Sequence, residues 1–487
     1  MILTQERAFL KARQQLREME QFVEQAATDG QRIDLVERGL MARLLEIGRT
    51  TLEAFVAAQG DGDAGKELPA GDDQHTVRRL AKPHVRRYLS IFGELTIRRH
   101  VYAVRAGQKI ERCPLDERLG LPGGEFSYVL EDWLERLCVK ESFAEAVGSL
   151  QTLLGLAPSP RAAEQMNQRM AERAELFRLQ HPAPPPEEEA ELLVTTADGK
   201  GVPMRRPLEE RVRRGPRRVK GEKANKKQMA YVGAVYSIER FRRTAEEVVD
   251  ELARKQRAAN RPAPQHKQVW AEMTRVAEGE SCTGRERLFI EMAVACHERD
   301  PQRQKTLVCL MDGEAALWQV AGEWLSRAVG ILDLFHVLER LWQVAYVFHR
   351  EGSTEAAAFV SRHLRWLLEG KVGCVIGRFK RLRDQHALRG SQRRTLNTVI
   401  GYYENNRQHM RYDEYLAAGY PIGSGVAEGA CRHLVKDRLE QTGMRWTLPG
   451  AQAMLHLRAI YLNGQWEEFV NYRIETEQAA LYRCSAA

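Results

Sequence analysis

The run HPAPPP at residues 181–186, followed by EEEAE, limits what this chain can fold into more than any other feature. Proline fixes φ and lacks an N–H, so neither a helix nor a central strand continues through such a segment. Before it, apolar residues recur at helical spacing; beyond it, short apolar runs alternate with helical stretches. The first pattern builds helical layers and the second a mixed α/β sheet with helices on its faces. A boundary near 180–189 follows, and 487 residues exceed one compact core, so two to four domains are expected.

On the N-terminal side, residues 4–58 read as helix in two segments broken near Thr28-Asp29-Gly30. Leu35, Leu40, Leu44, Ile47, Leu52 and Phe55 carry the periodicity. Residues 59–76, rich in Gly and Asp, read as a loop. The stretch RRYLSIFGELTIRRHVYAV predicts a small hairpin turning at Gly93. Residues 126–152 read as helix, a break falls at 155–160, and 161–178 read as helix again. Two helices across a Gly/Pro turn suit a helix-turn-helix reader of DNA and an ordinary αα-hairpin equally well. The segments expected here are 1–120, helices with a small hairpin, and 121–180, helix-turn-helix-like.

On the C-terminal side, strands are expected at 192–196, 231–238, 306–311 and 329–332, and a helix at 283–298. Helices dominate from 334 to 416 and from 424 to 463, and no internal repeat is present. Two of the strands end in Asp-Gly, VTTADG at 194–199 and VCLMDG at 308–313. An Asp at the carboxyl end of a strand projects into the crevice where open α/β sheets bind ligands. A single Asp-Gly is more often a plain turn, and two such strands shift that balance. A third acidic candidate lies in PIGSGVAEGACRHLVKDRL (421–439). There Ser424 can cap a helix and Glu428 falls in its first turn, where the helix dipole alone would favour it. Arg432 and Lys436 follow at i+4 and i+8, either as ion-pair partners of Glu428 or as a basic strip for a phosphodiester chain.

Charge supports a polyanionic partner. The net charge is +8, and residues 199–227 hold twelve Lys/Arg against three Glu, enough to supply the whole excess. This run directly follows Asp198 inside the chain, which favours phosphate contact over a solvated face. Candidate DNA-binding residues are Arg205, Arg206, Arg213, Arg214, Arg217, Arg218, Lys223, Lys226 and Lys227, joined by Arg432, Lys436, Arg445 and Trp446. The eight cysteines form no CxxC pair and no zinc-finger spacing, so they read as reduced core or surface residues. No stretch approaches the roughly 20 apolar residues of a membrane span. The first residues carry no signal-peptide core, which predicts a cytoplasmic protein without membrane contact.

The segments TTADGKGVPM, CLMDGEAALW, ILDLFHVLERLW and PIGSGVAEGACRHLVKDRLEQTGMRW resemble DDE transposases of bacterial insertion sequences. The closest group is the Kra-type family, with a more distant relation to Mutator-like and hAT elements; the likeness covers about residues 90–465. The resemblance implies an RNase H-like α/β core, a mixed sheet with flanking helices, interrupted by an all-helical insertion and preceded by a mainly helical DNA-binding region. The corresponding segments are 187–345 for the first part of the core, 346–420 for the insertion and 421–487 for the last part with C-terminal helices. The family's first Asp matches Asp198, its second Asp312 and its Glu Glu428. Separations of 114 and 116 residues leave room for the insertion, whose basic residues Arg362, His363, Arg365, Lys371, Arg378, Lys380, Arg381 and Arg383 suit transposon-end DNA or a plain amphipathic bundle. Asp333 and His336 match a second family mark. The pair either positions the scissile strand or a flipped base, or forms a helix-start network. Trp446 resembles a base-stacking aromatic, and a buried Trp fits equally.

Hard oxygen ligands suit Mg²⁺, with Mn²⁺ as substitute. Two ions are expected, Asp198 bridging both while Asp312 and Glu428 hold one each. The implied activity is metal-dependent cleavage of element ends and strand transfer into target DNA, with double-stranded DNA as partner and a homodimer on DNA. The alternatives are an RNase H-like nuclease or resolvase that does not join strands, and a non-catalytic DNA-binding protein derived from a transposase.

Overall fold

The computed structural model describes residues 2–70, 75–205, 227–253, 260–274, 282–386, 388–423, 425–441 and 443–482, with side chains from residue 9 onward apart from residue 70. The chain forms two compact units, Met1–Phe177 with Gln465–Ala487, and Arg178–Gly464.

The first unit opens with α1 (Ile2–Thr28) and α2 (Ile33–Ala58), broken at Asp29-Gly30 as the periodicity predicts. Strands β1 (Glu67–Ala70) and β2 (His75–Arg79) pair antiparallel within the stretch expected to be loop. Strands β3 (His84–Ser90) and β4 (Gly93–Arg99) form the expected hairpin, and Gly93 supplies the positive φ its turn requires. The short β5 (Tyr102–Ala103) pairs with β2, and α3 (Pro114–Leu119) follows.

The pattern at 126–152, continuous in sequence, folds as two helices, α4 (Tyr128–Cys138) and α5 (Phe143–Leu154). The break has a local cause: Ser142 and Glu145 form a capping box that starts α5 afresh. With α6 (Pro160–Ala171), these helices close around Leu130, Leu134, Ala146, Leu150, Ala163 and Met166. Helix α7 (Ala174–Gln180) carries the division between the units. The last helix, Trp466–Tyr482, groups with the first unit. It is held there by an Arg473–Glu131 ion pair and by the Tyr482 hydroxyl donating to the Leu121 carbonyl at 2.6 Å.

The second unit is a mixed α/β layer structure. Its elements are β6 (Leu192–Pro203), β7 (Lys227–Ile238), α8 (Ala245–Leu252), β8 (Gln265–Met273), α9 (Gly284–Arg299), β9 (Thr306–Met311), α10 (Ala315–Trp324) and β10 (Val329–Leu332). Five helices follow: α11 (Leu334–Phe348), α12 (Thr354–Leu368), α13 (Val372–Gln385), α14 (Gly390–Asn405) and α15 (Tyr412–Ala418). The chain closes this unit with α16 (Gly425–Ala430), which runs on through a π-helical turn (Cys431–Lys436), and α17 (Leu448–Leu462).

The sheet order is β10-β9-β6-β7-β8; β7 runs antiparallel to both β6 and β8, and β9 and β10 run parallel to β6. Alternation along the strands sends Leu192, Val194, Val308 and Leu310 to one face, where α11 to α15 share one buried cluster with them. Leu193, Ala197, Leu307 and Cys309 face the other way, against α9 and α10. Strand β8, not foreseen from the sequence, is the sheet's edge. Its outward N–H groups at Val269 and Met273 donate to Asn463, the C-cap of α17, and to Gln452 within it, which blunts that edge. Among the described residues no helix is long and apolar enough to cross a membrane.

Candidate active site

The expected strand end at Asp198-Gly199 is not where β6 stops. The strand continues to Pro203 because β7 stays paired to it throughout, with Asp198 opposite Val232. What does stop is the parallel partner. Strand β9 pairs with β6 over Leu192–Thr195 and ends at Met311. The pairing offset (Thr195 opposite Cys309) carried three residues on brings Asp198 level with Asp312. Both fall on the same strand parity as Val194 and Leu310, so both side chains lie on the face covered by α11 to α15.

Asp198 is half-buried. Its Oδ1 accepts from the Gly199 N–H at 2.7 Å, and the Cys431 thiol donates to its Oδ2 at 3.2 Å. Asp312 accepts the Glu314 N–H at 3.0 Å. Burial first, and then the charge of Asp198, raises the Asp312 carboxyl above its ordinary range, while the Glu314 N–H, His336 and Arg340 act the other way. Burial likewise raises Glu314, with Asp312 and Asp198 adding to it and Arg285 opposing at 3.9 Å. Burial and then Asp198 push the Cys431 thiol far up, so it remains protonated and a donor. Gly313 lets the chain turn close beneath α14, where a Cβ would collide with the Tyr402 ring. The Arg340 guanidinium lies 5.2 Å from that ring, and Tyr402 is raised to about 12 by burial and then Asp312.

Glu428 sits exposed on α16, which packs over β6 and β7. Cys431, three residues on and on the same helix side, is the residue that touches Asp198. As a set of three, Asp198, Asp312 and Glu428 do not bring their oxygens within 4.8 Å of one another. No family model matches this sequence, and no curated protein matches it. The site therefore stands on its own chemistry.

That chemistry fits a hard divalent cation. Two aspartates and Glu314 crowd one sheet end, and burial, with the charge of Asp198 added, raises the carboxyls of both Asp312 and Glu314, a cost a cation would relieve. Elsewhere in the second unit, Glu272 and His456 offer two further donors of metal-binding type at 3.0 Å, with Arg178 already paired to Glu272.

The remaining candidates divide. Asp333 is 2% exposed and works as the N-cap of α11, accepting from the Phe335 N–H at 2.7 Å. His336 is half-buried, close enough to Asp312 to act on its charge, and its Nδ1 is buried without a hydrogen-bond partner. Glu428, Arg432 and Lys436 are all exposed, the last two within the π-helical turn. Arg432 also lies 3.7 Å from Asp437, five residues on.

Trp446 is 6% exposed, donates from Nε1 to the Leu439 carbonyl at 3.1 Å and pairs its backbone with Pro203 and Arg205. It is a packing residue, not an open stacking platform. Arg205 and Arg445 are exposed, and Lys227 pairs with Glu440. Arg206, Arg213, Arg214, Arg217, Arg218, Lys223, Lys226 and Ser424 lie outside the described residues.

Of the basic helical residues, Arg365, Lys371, Lys380 and Arg383 are tied to Glu246, Glu369, Glu404 and Asp384, and His363 is buried. Arg362 and Arg381 stay exposed. Cys431, Glu314 and Arg340 were missed from sequence. The available signals were Glu314 two residues after Asp312 and Cys431 three after Glu428.

Proposed function

We propose that this chain is a DDE-type transposase, cutting and joining DNA at the crevice formed by Asp198, Asp312 and Glu428. The observation that carries the proposal is the pair Asp198 and Asp312, level on adjacent parallel strands, on one face, where the inter-strand pairing ends. An antiparallel three-strand unit extended by two parallel strands is compatible with an RNase H-like core, and the motif resemblance supplies the reaction class. Glu428 approaches from α16 on the same side as Cys431.

In this reading Asp198, Asp312 and Glu428 hold Mg²⁺ or Mn²⁺, which would activate a water or 3′-hydroxyl and relieve charge at phosphorus. The protein's own contribution is positional. The Gly199 N–H and the Cys431 thiol fix the two oxygens of Asp198, and the Glu314 N–H fixes Asp312. Arg340 brings positive charge beside Asp312, suited to a phosphodiester oxygen, and His336 lies next to the same carboxylate. The exposed Arg205, Arg445 and Lys436 are free to contact phosphate, and the partner in this reading is double-stranded DNA in the cytoplasm.

Changing Asp198, Asp312 or Glu428 to Ala is expected to abolish joining of labelled element ends to a plasmid while leaving end binding intact. Joining that persists in Asp198→Ala would overturn the assignment. Cleaved ends without joined product would favour the nuclease reading, and binding without cleavage in the unaltered chain a non-catalytic derivative.

A further inference from the structure

Helix α10 starts at Ala315, and its first backbone N–H groups, those of Leu317 and Trp318, return to the Glu314 carbonyl. The Asp312 carbonyl lies ahead of that turn and is reached by a side chain: the Trp318 indole donates to it from Nε1 at 2.7 Å. The Glu314 N–H meets the carboxylate of the same residue. Asp312 is therefore tied down at its main chain and at its side chain. A partly buried indole finds an acceptor in most folds. That the acceptor here is the Asp312 main chain gives Trp318 a hold on the direction in which the carboxylate points.

The indole is itself held from outside α10. His409, in the 3₁₀ turn Arg407–His409 between α14 and α15, stacks on it with ring centroids 3.9 Å apart and planes within 8° of parallel. A carbonyl only accepts, so His409 Nδ1, 3.3 Å from the Gly330 carbonyl, carries the proton, and Nε2 accepts from the Gln408 amide at 3.0 Å. Both nitrogens of a neutral ring are thus in use, and burial lowers the histidine pKa against the Gly330 bond. Gly330 keeps the pair in place: a Cβ there would collide with the imidazole and the indole. The Tyr415 hydroxyl of α15 donates to the same Gly330 carbonyl at 3.1 Å.

We propose that Trp318 and His409 are positioning residues for Asp312, through which the helical block α12 to α15 sets the geometry of the metal site. The proposal rests on the reading of Asp312 as a metal ligand. Neither ring touches the carboxylate, so both act through the Asp312 backbone. Coupling between two sites is reciprocal, and a cation that fixes Asp312 also steadies the turn that carries His409.

Mn²⁺ binding to the full chain, followed by the loss of the free-ion paramagnetic resonance signal, tests this without strand transfer. Trp318→Phe keeps a ring on His409 and removes only the N–H donor. It should weaken Mn²⁺ binding roughly three- to tenfold, the worth of one such hydrogen bond. His409→Ala should weaken it as well, and adding it to Trp318→Phe should change little more, because both act through one bond. Thr283→Ala, which loosens the start of α9 in the same unit, should leave Mn²⁺ affinity unchanged. In the unaltered chain Mn²⁺ should slow amide hydrogen exchange over residues 402–410, and in Trp318→Phe it should not. Mn²⁺ affinity that is indifferent to Trp318→Phe, simple addition of the two effects, or an equal loss in Thr283→Ala would each overturn the proposal while leaving the metal site standing. An unaltered chain that takes up no Mn²⁺ would overturn the metal reading itself, and this proposal with it.

Discussion

Asp312 shares its end of the sheet with Asp198 and Glu314, and burial raises it before either neighbour's charge is counted. Like charges held together at low dielectric destabilise the fold that holds them, a cost active sites commonly carry. Asp312→Asn is therefore expected to raise Tm at neutral pH, on the order of 1–3 °C, while ending strand transfer. Millimolar Mg²⁺ should raise Tm of the unaltered chain and not of Asp198→Asn/Asp312→Asn, because a ligand that binds only the folded state stabilises it. Thermal scans with and without the ion check both.

His363 shows the opposite sign of linkage. Burial among Phe359, Trp366 and Phe379 lowers its pKa, so the unfolded chain takes up the proton first. Its share of stability is complete above the ordinary histidine range near pH 6.5 and is lost as pH falls through it. In His363→Leu the gap between denaturant midpoints at about pH 7.5 and about pH 5.5 should narrow; an unchanged gap would assign the acid sensitivity to other groups.

At the scale of elements, three helices start with the same reciprocal cap: Ser142/Glu145, Thr244/Glu247 and Thr283/Glu286. The signature is readable in sequence, yet hydrophobic periodicity alone runs one helix straight through Ser142, because α4 and α5 both keep apolar residues in phase with their shared core. Thr283→Ala should cost about 1 kcal/mol, read as a lower urea midpoint, by freeing the first N–H groups of α9. The π-helical turn of α16 was not legible, since nothing in CRHLVK distinguishes it from an α-helix. It matters because it sets Cys431 at Asp198 and sends Arg432 to Asp437. Strand β8 was equally hidden: its apolar content is modest, and it is held by β7 and by the side chains of α17.

At the scale of the whole chain, Glu189 lies in what reads as an acidic linker but is fully buried against Arg299 of α9, both side chains at 0% exposure, with a second contact at 2.8 Å. Lys305 adds bonds to the Glu189 and Ala190 carbonyls. Arg299→Met alone should cost roughly 3–5 kcal/mol by stranding a buried carboxylate. Pairing it with Glu189→Leu should recover most of that loss in the same denaturation assay. The second unit therefore begins before the apparent linker ends, a fact that charge composition conceals.

By itself the sequence determined the α1–α2 hairpin, the β3–β4 hairpin and four of the five strands of the large sheet. These follow from local periodicity and from Pro, Gly and capping residues, which act over a few neighbours. It also singled out Asp198 and Asp312. Only the tertiary structure decided that they are level on one face, since that depends on the register of strands more than a hundred residues apart. Long-range packing likewise buried Trp446 and brought Cys431 to Asp198. Burial and charge proximity are properties of packed surfaces, and no spacing along the chain encodes them.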